Sequence, residues 1–350
     1  MNSKAISFPD VFHEIANDTG PTPHVVHEAL EAIFSGAWTP VQVAGFAIAL
    51  RMRGEHAEVI STAAQTLCAH SIGVDHGLPL VADTCGTGGD GHGTLNISTA
   101  AAFVLAACGV PVAKHGNRSV SSRSGSADVI EALGIPTDVG PDKQAGILRT
   151  AGIAFLFAPT HHPALRYSQV ARRELAVRTI FNVLGPLANP AHATHRLLGI
   201  YDRALRPALA RALVDLGVRR AWVVHGEDGL DEVSPFGLTH VTEVADGRLR
   251  ERVVHPESFG LEPSPPGSID GDSPRENAAA IRMILEGRPH PARSAVILNA
   301  AAALAVCREV DDEAQYPKLA EEAADALDTH RAQRKVEALR LTATIARAAA

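Results

Sequence analysis

Residues suited to chemistry gather in two polar loops, each preceded by a short apolar run. The first, Gly86-Thr87-Gly88-Gly89-Asp90-Gly91, follows LPLVAD. Glycines let backbone N–H groups approach an anion without Cβ interference, and a helix start beyond the loop adds favourable partial charge. The loop formally matches GxGxxG, but it runs on through Asn96-Ile97-Ser98-Thr99, and the next strand ends in Lys114 rather than an acidic residue. That argues against a nicotinamide cofactor. No Lys-Ser/Thr pair closes the loop, so it is not a Walker A loop. The second loop begins Lys114-His115-Gly116-Asn117-Arg118 and continues Ser119-Val120-Ser121-Ser122. Cations and hydroxyls are concentrated there at one strand end. Ligands of open α/β sheets bind at the carboxyl ends of strands, so both loops can face one crevice. Either loop alone also fits an unliganded polar turn. Two on consecutive units favour a ligand with two separate phosphate groups.

Three further groups belong with these loops. Asp231-Glu232, in HGEDGLDEVSP after the apolar run AWVV, is an acidic pair able to hold magnesium, which prefers oxygen ligands and keeps several waters. On its own such a pair is more often a solvated surface. Arg172, in Arg172-Arg173-Glu174, offers a planar fork for a carboxylate, against the plainer reading of a surface Arg paired with a nearby Glu. His161 and His162 lack the HExxH arrangement, which speaks against zinc.

The elements that must position these residues read as two kinds. The first seventy or so residues are helical, with Thr22-Pro23 and Thr39-Pro40 each placing a capping hydroxyl before a proline. VQVAGFAIALRMRG is apolar nearly all round and suits a helix buried at a domain or subunit interface. From Leu78 the pattern becomes strand, polar loop, helix: LPLVAD before the helix AAAFVLAACG, then VPVAK before the helix DVIEALG, with Asp128 and Glu131 at capping-box spacing. GIAFLFAP, RLLGIYD and RRAWVVHGED extend the series, and Leu261–Pro274, rich in Pro, Gly and Ser, reads as a surface loop. The fold class is therefore α/β, a small helical domain with a larger domain around a mainly parallel sheet. The expected division is 1–74 helical, completed by a segment near 168–192, with 75–167 and 193–350 forming the α/β domain. A chain of 350 residues suits two domains.

Composition narrows the function. Lys plus Arg is 32 against 39 for Asp plus Glu, a net charge of −7, which excludes the broad positive field of nonspecific nucleic-acid binding. Cys68, Cys85, Cys108 and Cys307 form no CxxC pair and read as buried thiols in a reducing compartment. No secretory signal and no apolar run long enough to span a bilayer is visible, so a cytoplasmic protein without membrane contact is expected.

DTCGTGGDG, NISTAAAFV, KHGNRSVSS with GSADVIEALG, HPALR, RRELAVRTIFNVLGPLANP and DGLDEVSP together resemble the anthranilate phosphoribosyltransferases, in that family's order and spacing from about Thr39 to Val306. The resemblance implies transfer of a phosphoribosyl group from phosphoribosyl pyrophosphate (PRPP) to the amine of anthranilate, in tryptophan biosynthesis. It implies a homodimer with the site in a hinge cleft, and it leaves open association with anthranilate synthase subunits. Gly86, Gly89, Asp90, Thr94, Asn96, Ile97, Ser98 and Thr99 would bind PRPP. So would Lys114, His115, Gly116, Asn117, Arg118, Ser119, Val120, Ser121, Ser122 and Ser126. Gly86, Asn117 and Arg172 would contact anthranilate, with His115 and His162 lining its path, and Ser98, Asp231 and Glu232 would hold Mg2+. No covalent or strong acid–base residue is expected. Three positions depart from the family pattern: Leu95 where Phe is usual, Leu165 where Met is usual, and Ala176 where Gly is usual. Two rivals share parts of this pattern, a pyrimidine nucleoside phosphorylase and a noncatalytic nucleic-acid-binding paralogue. The intact glycine and acidic motifs favour the PRPP enzyme over both.

Overall fold

The computed structural model describes residues 6–119 and 123–349. Val120, Ser121 and Ser122, expected in the phosphate site, lie outside the described residues.

Among the described residues seven strands form one sheet: β1 (Ala82–Gly86), β2 (Val112–Gly116), β3 (Ile153–Phe157), β4 (His195–Gly199), β5 (Arg220–Gly226), β6 (Thr239–Ala245) and β7 (Arg248–Val254). Their order is β3-β2-β1-β4-β5-β6-β7. The pairs from β3 to β5 are parallel, and β5–β6 and β6–β7 are antiparallel. From β1 the chain works outward through β2 to β3, then returns to start β4 on the other side of β1. The topological switch point therefore lies between β1 and β4, where Gly86 is registered against Gly199. A crevice opens at the carboxyl ends of strands at such a point, because the following connections diverge to opposite sides.

Both glycine-loop strands sit further along the chain than LPLVAD and VPVAK suggest. β1 and β2 run up to Gly86 and Gly116, the first residues of their loops, because the sheet register is set by β4 and β3 rather than by the apolar run alone. β6 and β7 form a hairpin that the α/β pattern did not predict. Asp246 and Gly247 join them with φ of +47° and +79°, the left-handed pair that a two-residue hairpin turn requires. β7 is the outer strand, with Arg248 and Arg250 exposed along it.

The helices Phe8–Ala16, Pro23–Phe34, Pro40–Arg53 and Ala57–Ala69 precede the sheet. Ser7, Thr22 and Thr39 cap the first three, each followed by proline in the first turn, and Thr39 with Gln42 closes a capping box. The later helices Gln169–Leu175 and Ile180–Leu187 pack on Pro40–Arg53, and Ile180–Leu187 also reaches Ala57–Ala69. These helices share one core with the sheet face bearing Cys85, Leu198 and Val223. The opposite face, bearing Leu197, Trp222 and Val224, packs under Ile97–Ala107 and the wholly buried stretch 295–307 of the helix Arg293–Cys307. Successive strand residues point to opposite faces, so β1, β4, β5 and β6 serve both cores. Among the described residues no helix is long and apolar enough to cross a membrane.

Candidate active site at the switch point

The glycine loop leaves β1 beside the acidic pair. Gly88 N–H donates to Asp231 Oδ2 at 2.6 Å, and Ser98 N–H, in the first turn of Ile97–Ala107, donates to Glu232 Oε1 at 3.1 Å. A Cβ at Gly86 would lie 2.4 Å from Asp231 Oδ2, so only glycine lets the strand end pass this close to the carboxylate. Among the described residues, the N–H groups of Gly89, Asp90 and Gly91 have no protein acceptor. The loop therefore presents donors to one side and is braced by Asp231 on the other.

Charge is concentrated here. Burial, then Glu232 and Asp90, push the Asp231 carboxyl well above the usual range. Burial pushes Glu232 up to about 7 against the opposing pull of Lys114. Asp90 accepts from His92 N–H through Oδ1, while its buried Oδ2 has no partner. Lys114, buried at the end of β2, donates to Thr84 O and, at 3.4 Å, to Ser98 Oγ. Lys114 lies beside Glu232, within a group that also includes the Asp231 and Asp90 carboxyls.

The second loop is joined to the first by side chains. Asn96 Nδ2 donates to Ser124 O at 3.2 Å, and Asn96 Oδ1 accepts from Ser124 Oγ at 3.2 Å and from Asn277 Nδ2 at 3.1 Å. Asn117 N–H donates to Ser126 Oγ at 3.2 Å, and Ser126 opens the helix Ser126–Ala132. Asp128 is the third residue of that helix and accepts from Gly125 N–H at 2.9 Å, rather than opening the helix itself. Arg118 pairs with Asp128 at 3.1 Å and Glu131 at 2.6 Å, so its guanidinium would have to leave both to reach a ligand. Thr94 bridges to Asp270, and Leu95 N–H donates to Ile269 O at 2.8 Å. The segment Leu261–Pro274, expected as a surface loop, thus braces the far half of the glycine loop through Ile269 and Asp270, and its last residue opens the helix Pro274–Leu285. Ile97 and Thr99 are buried under the sheet and Gly116 closes β2.

Histidines form a neutral wall beside this crevice. His115 Nδ1 donates to Gly185 O at 3.0 Å and His162 Nε2 donates to Ala188 O at 2.9 Å. Their rings meet edge to face at 5.0 Å. Burial lowers His162 to about 4 and holds His115 well below its ordinary value, so both are uncharged at neutral pH. Asp83 steadies the floor: it accepts from His115 N–H at 3.2 Å and Asn189 Nδ2 at 2.8 Å, and pairs with buried Arg196 at 3.1 Å. Arg172 lies half-buried in Gln169–Leu175, without a carboxylate partner among the described residues, and burial lowers its pKa. A surface pairing with Glu174 is therefore not what holds it.

A glycosyl transferase family α/β-domain model matches residues 78–332, and the helical bundle domain model of the same family matches 10–71. The anthranilate phosphoribosyltransferase of Brevibacillus brevis is 47% identical over 283 residues, 81% of this chain and 83% of that protein. That of Symbiobacterium thermophilum is 44% identical, covering 94% of this chain and 96% of its own. The chain belongs to the anthranilate phosphoribosyltransferase family. Among solved members, the Thermus thermophilus enzyme superposes with a TM-score of 0.88 at 36% identity, covering 96% of this chain and 99% of that one. The Saccharomyces cerevisiae enzyme in complex with PRPP and Mg superposes at 0.89 with 28% identity, covering 97% and 98%.

A magnesium ion of the kind in the yeast anthranilate phosphoribosyltransferase complex fits the donors present. Asp231, Glu232 and the Ser98 hydroxyl are all oxygen donors, the set a hard cation takes. Among the described residues no three His, Cys, Asp or Glu side chains form a group that could hold a metal ion. A partial shell of this kind suits an ion that keeps waters and substrate phosphates.

Of the departures from the family pattern, Ala176 has a backbone consequence. It ends Gln169–Leu175 with φ +50°, a left-handed conformation that costs a non-glycine residue roughly 1 kcal/mol. Leu95 is buried, and Leu165 is half-buried against the helical core. Two site residues carried no sequence signal, Asn277 and Arg178. Asn277 reads as an ordinary helix residue until the fold sets it on Asn96, and Arg178 as one more surface cation until the fold sets it on Gly89.

Proposed function

We propose that this chain transfers the phosphoribosyl group of PRPP to the amine of anthranilate, giving N-(5-phosphoribosyl)anthranilate and pyrophosphate. One observation carries the reading. Gly88 and Ser98 bring the carboxylates of Asp231 and Glu232 onto a loop of free N–H donors, beside Lys114, at the switch point of the sheet. A diphosphate group needs such donors and a way to offset its charge. The yeast relative solved with PRPP and Mg supports the same assignment.

In this reading Gly86, Gly89, Asp90, Thr94 and 96–99 hold the donor with 114–122 and Ser126, while Ser98, Asp231 and Glu232 hold magnesium. When bound, that ion supplies positive charge to the departing pyrophosphate. Lys114 and the loop N–H groups add to it, where fixed donors act without reorganising. The anthranilate amine is neutral near pH 7 and needs no strong base, so the chain's main task is alignment. Arg172 clamps the acceptor carboxylate, assisted by Asn117 and Gly86, and the neutral rings of His115 and His162 line its approach. A homodimer working in the cytoplasm belongs to the same reading.

The test is turnover of PRPP and anthranilate with magnesium, followed by loss of anthranilate fluorescence. Arg172→Ala should raise the anthranilate KM at least about tenfold, as loss of a charge-assisted hydrogen bond implies, and move the PRPP KM little. Asp231→Asn with Glu232→Gln should lower turnover and shift the magnesium titration to higher concentration. An unchanged titration would remove the metal assignment, and absence of turnover in the wild type would remove the reaction.

A further inference from the structure

Arg178 lies in the short linker between the helices Gln169–Leu175 and Ile180–Leu187, both of which pack on the amino-terminal helices. Its guanidinium nevertheless reaches across to the α/β side. It stacks over the Tyr201 ring with 3.7 Å from Cζ to the ring centroid. A Cβ at Gly89 would lie 2.3 Å from one guanidinium nitrogen, so the cation occupies the space beside the phosphate loop that a side chain at 89 would fill. Gly89 itself has φ +74°. Tyr201 is tied to the same loop, since its N–H donates to Thr87 Oγ1 at 3.2 Å.

A purely structural arginine at this depth is normally bonded to a carboxylate or to backbone carbonyls. Among the described residues Arg178 forms no ion pair, while other half-buried arginines such as Arg220 and Arg252 each have acidic partners. Stacking on Tyr201, with a side-chain hydrogen bond between the two, fixes the guanidinium and leaves its remaining N–H groups for a further acceptor. The loop it touches carries the free N–H donors of Gly89, Asp90 and Gly91 and leads directly from the Asp231 brace, the part of the site that suits a diphosphate.

We propose that Arg178 is a pyrophosphate-binding residue, a second cation that the helical side of the molecule places against the diphosphate end of the donor at Gly89. This rests on the PRPP reading above and adds a ligand contact to it. The placement has a consequence for coupling. Diphosphate binding would draw on a residue carried by the helices that also carry Arg172, so donor binding would steady the acceptor clamp.

Calorimetric titration of magnesium pyrophosphate and, separately, ribose 5-phosphate into wild type, Arg178→Gln and Arg178→Lys tests the contact without needing turnover. Arg178→Gln should weaken pyrophosphate about tenfold, the effect of removing one charge-assisted bond, and ribose 5-phosphate less than twofold. Arg178→Lys should recover part of the loss, because it restores charge without the fork. In parallel kinetics the PRPP KM should follow the pyrophosphate Kd. Unchanged pyrophosphate affinity in Arg178→Gln overturns the proposal. Equal weakening of both ligands in Arg178→Gln and Arg178→Lys overturns it too, since that marks a purely structural role. Normal pyrophosphate binding that depends on Arg178, in a wild type that fails to turn over PRPP, would sink the transferase reading and leave this contact standing.

Discussion

At the residue scale burial sets how tightly the groups of the site hold their protons. Burial raises the Asp231 and Glu232 carboxyls, so these two acids hold protons more tightly than free ones, whereas burial keeps His115 and His162 uncharged. The histidines carry a measurable cost. His162 drops from 6.5 to about 4, so the unfolded chain takes up a proton near pH 6.5 while the folded ring stays neutral until about pH 4. Stability is therefore intact above the upper value and declines as pH falls through this window, by roughly 3 kcal/mol for this one group. His162→Gln should flatten that decline in urea unfolding at pH 7 and 4.5; an unaltered pH slope would show that His162 is not desolvated as described. Local residue type made the loops, the acidic pair and the histidines readable in the sequence. Arg178 and Asn277 were not readable, because Gly89 and Asn96, which give them meaning, are 89 and 181 positions away.

At the element scale, helices and loops are joined by few but specific contacts. The helix Pro274–Leu285 holds Asn96 through Asn277, whose Oδ1 also accepts from Asp272 N–H at 2.7 Å. Asn96 in turn holds Ser124, so one side chain sets the spacing between the two loops. Asn277→Ala should raise the PRPP KM about tenfold, leave the anthranilate KM nearly unchanged, and lower stability by about 2 kcal/mol, the cost of leaving buried amide partners unpaired. Steady-state kinetics with thermal melting would check this; lost stability with an unmoved PRPP KM would reduce Asn277 to a packing role. Capped helices were legible because Thr-Pro pairs act locally. Strand ends were less so, since pairing with β4 and β3 decides where β1 and β2 stop. The β6–β7 hairpin was missed although Asp246-Gly247 sits between alternating runs, a local cue that the repeating strand–helix pattern obscured.

At the scale of the whole molecule, the sheet is a shared wall. Trp38 belongs to the helical core and Trp222 to the opposite one, yet neighbouring residues of the same strands, Leu197 with Leu198 and Trp222 with Val223, serve both. Loss of either core would strip one face of β1, β4, β5 and β6. Single-tryptophan variants, Trp38→Phe and Trp222→Phe, should therefore report urea midpoints that agree within about 0.2 M after correction for each mutation. Two separated transitions would show that the helical part unfolds on its own. The α/β class and the helical segment were expected from the order of elements. The reversal of direction at β1 was not, because strand order is a long-range property that neighbouring residues do not encode.

The outer strand β7 has a consequence for how the protein behaves in concentrated solution. Its backbone edge is an unfinished ladder onto which a foreign strand could add, and Leu249 and Val253 would welcome one. Arg248 and Arg250 set like charges along that rim, so two copies approaching rim to rim repel before their ladders can join. These arginines thus act as guards against self-templating, and strong brine, by screening them, would remove the guard.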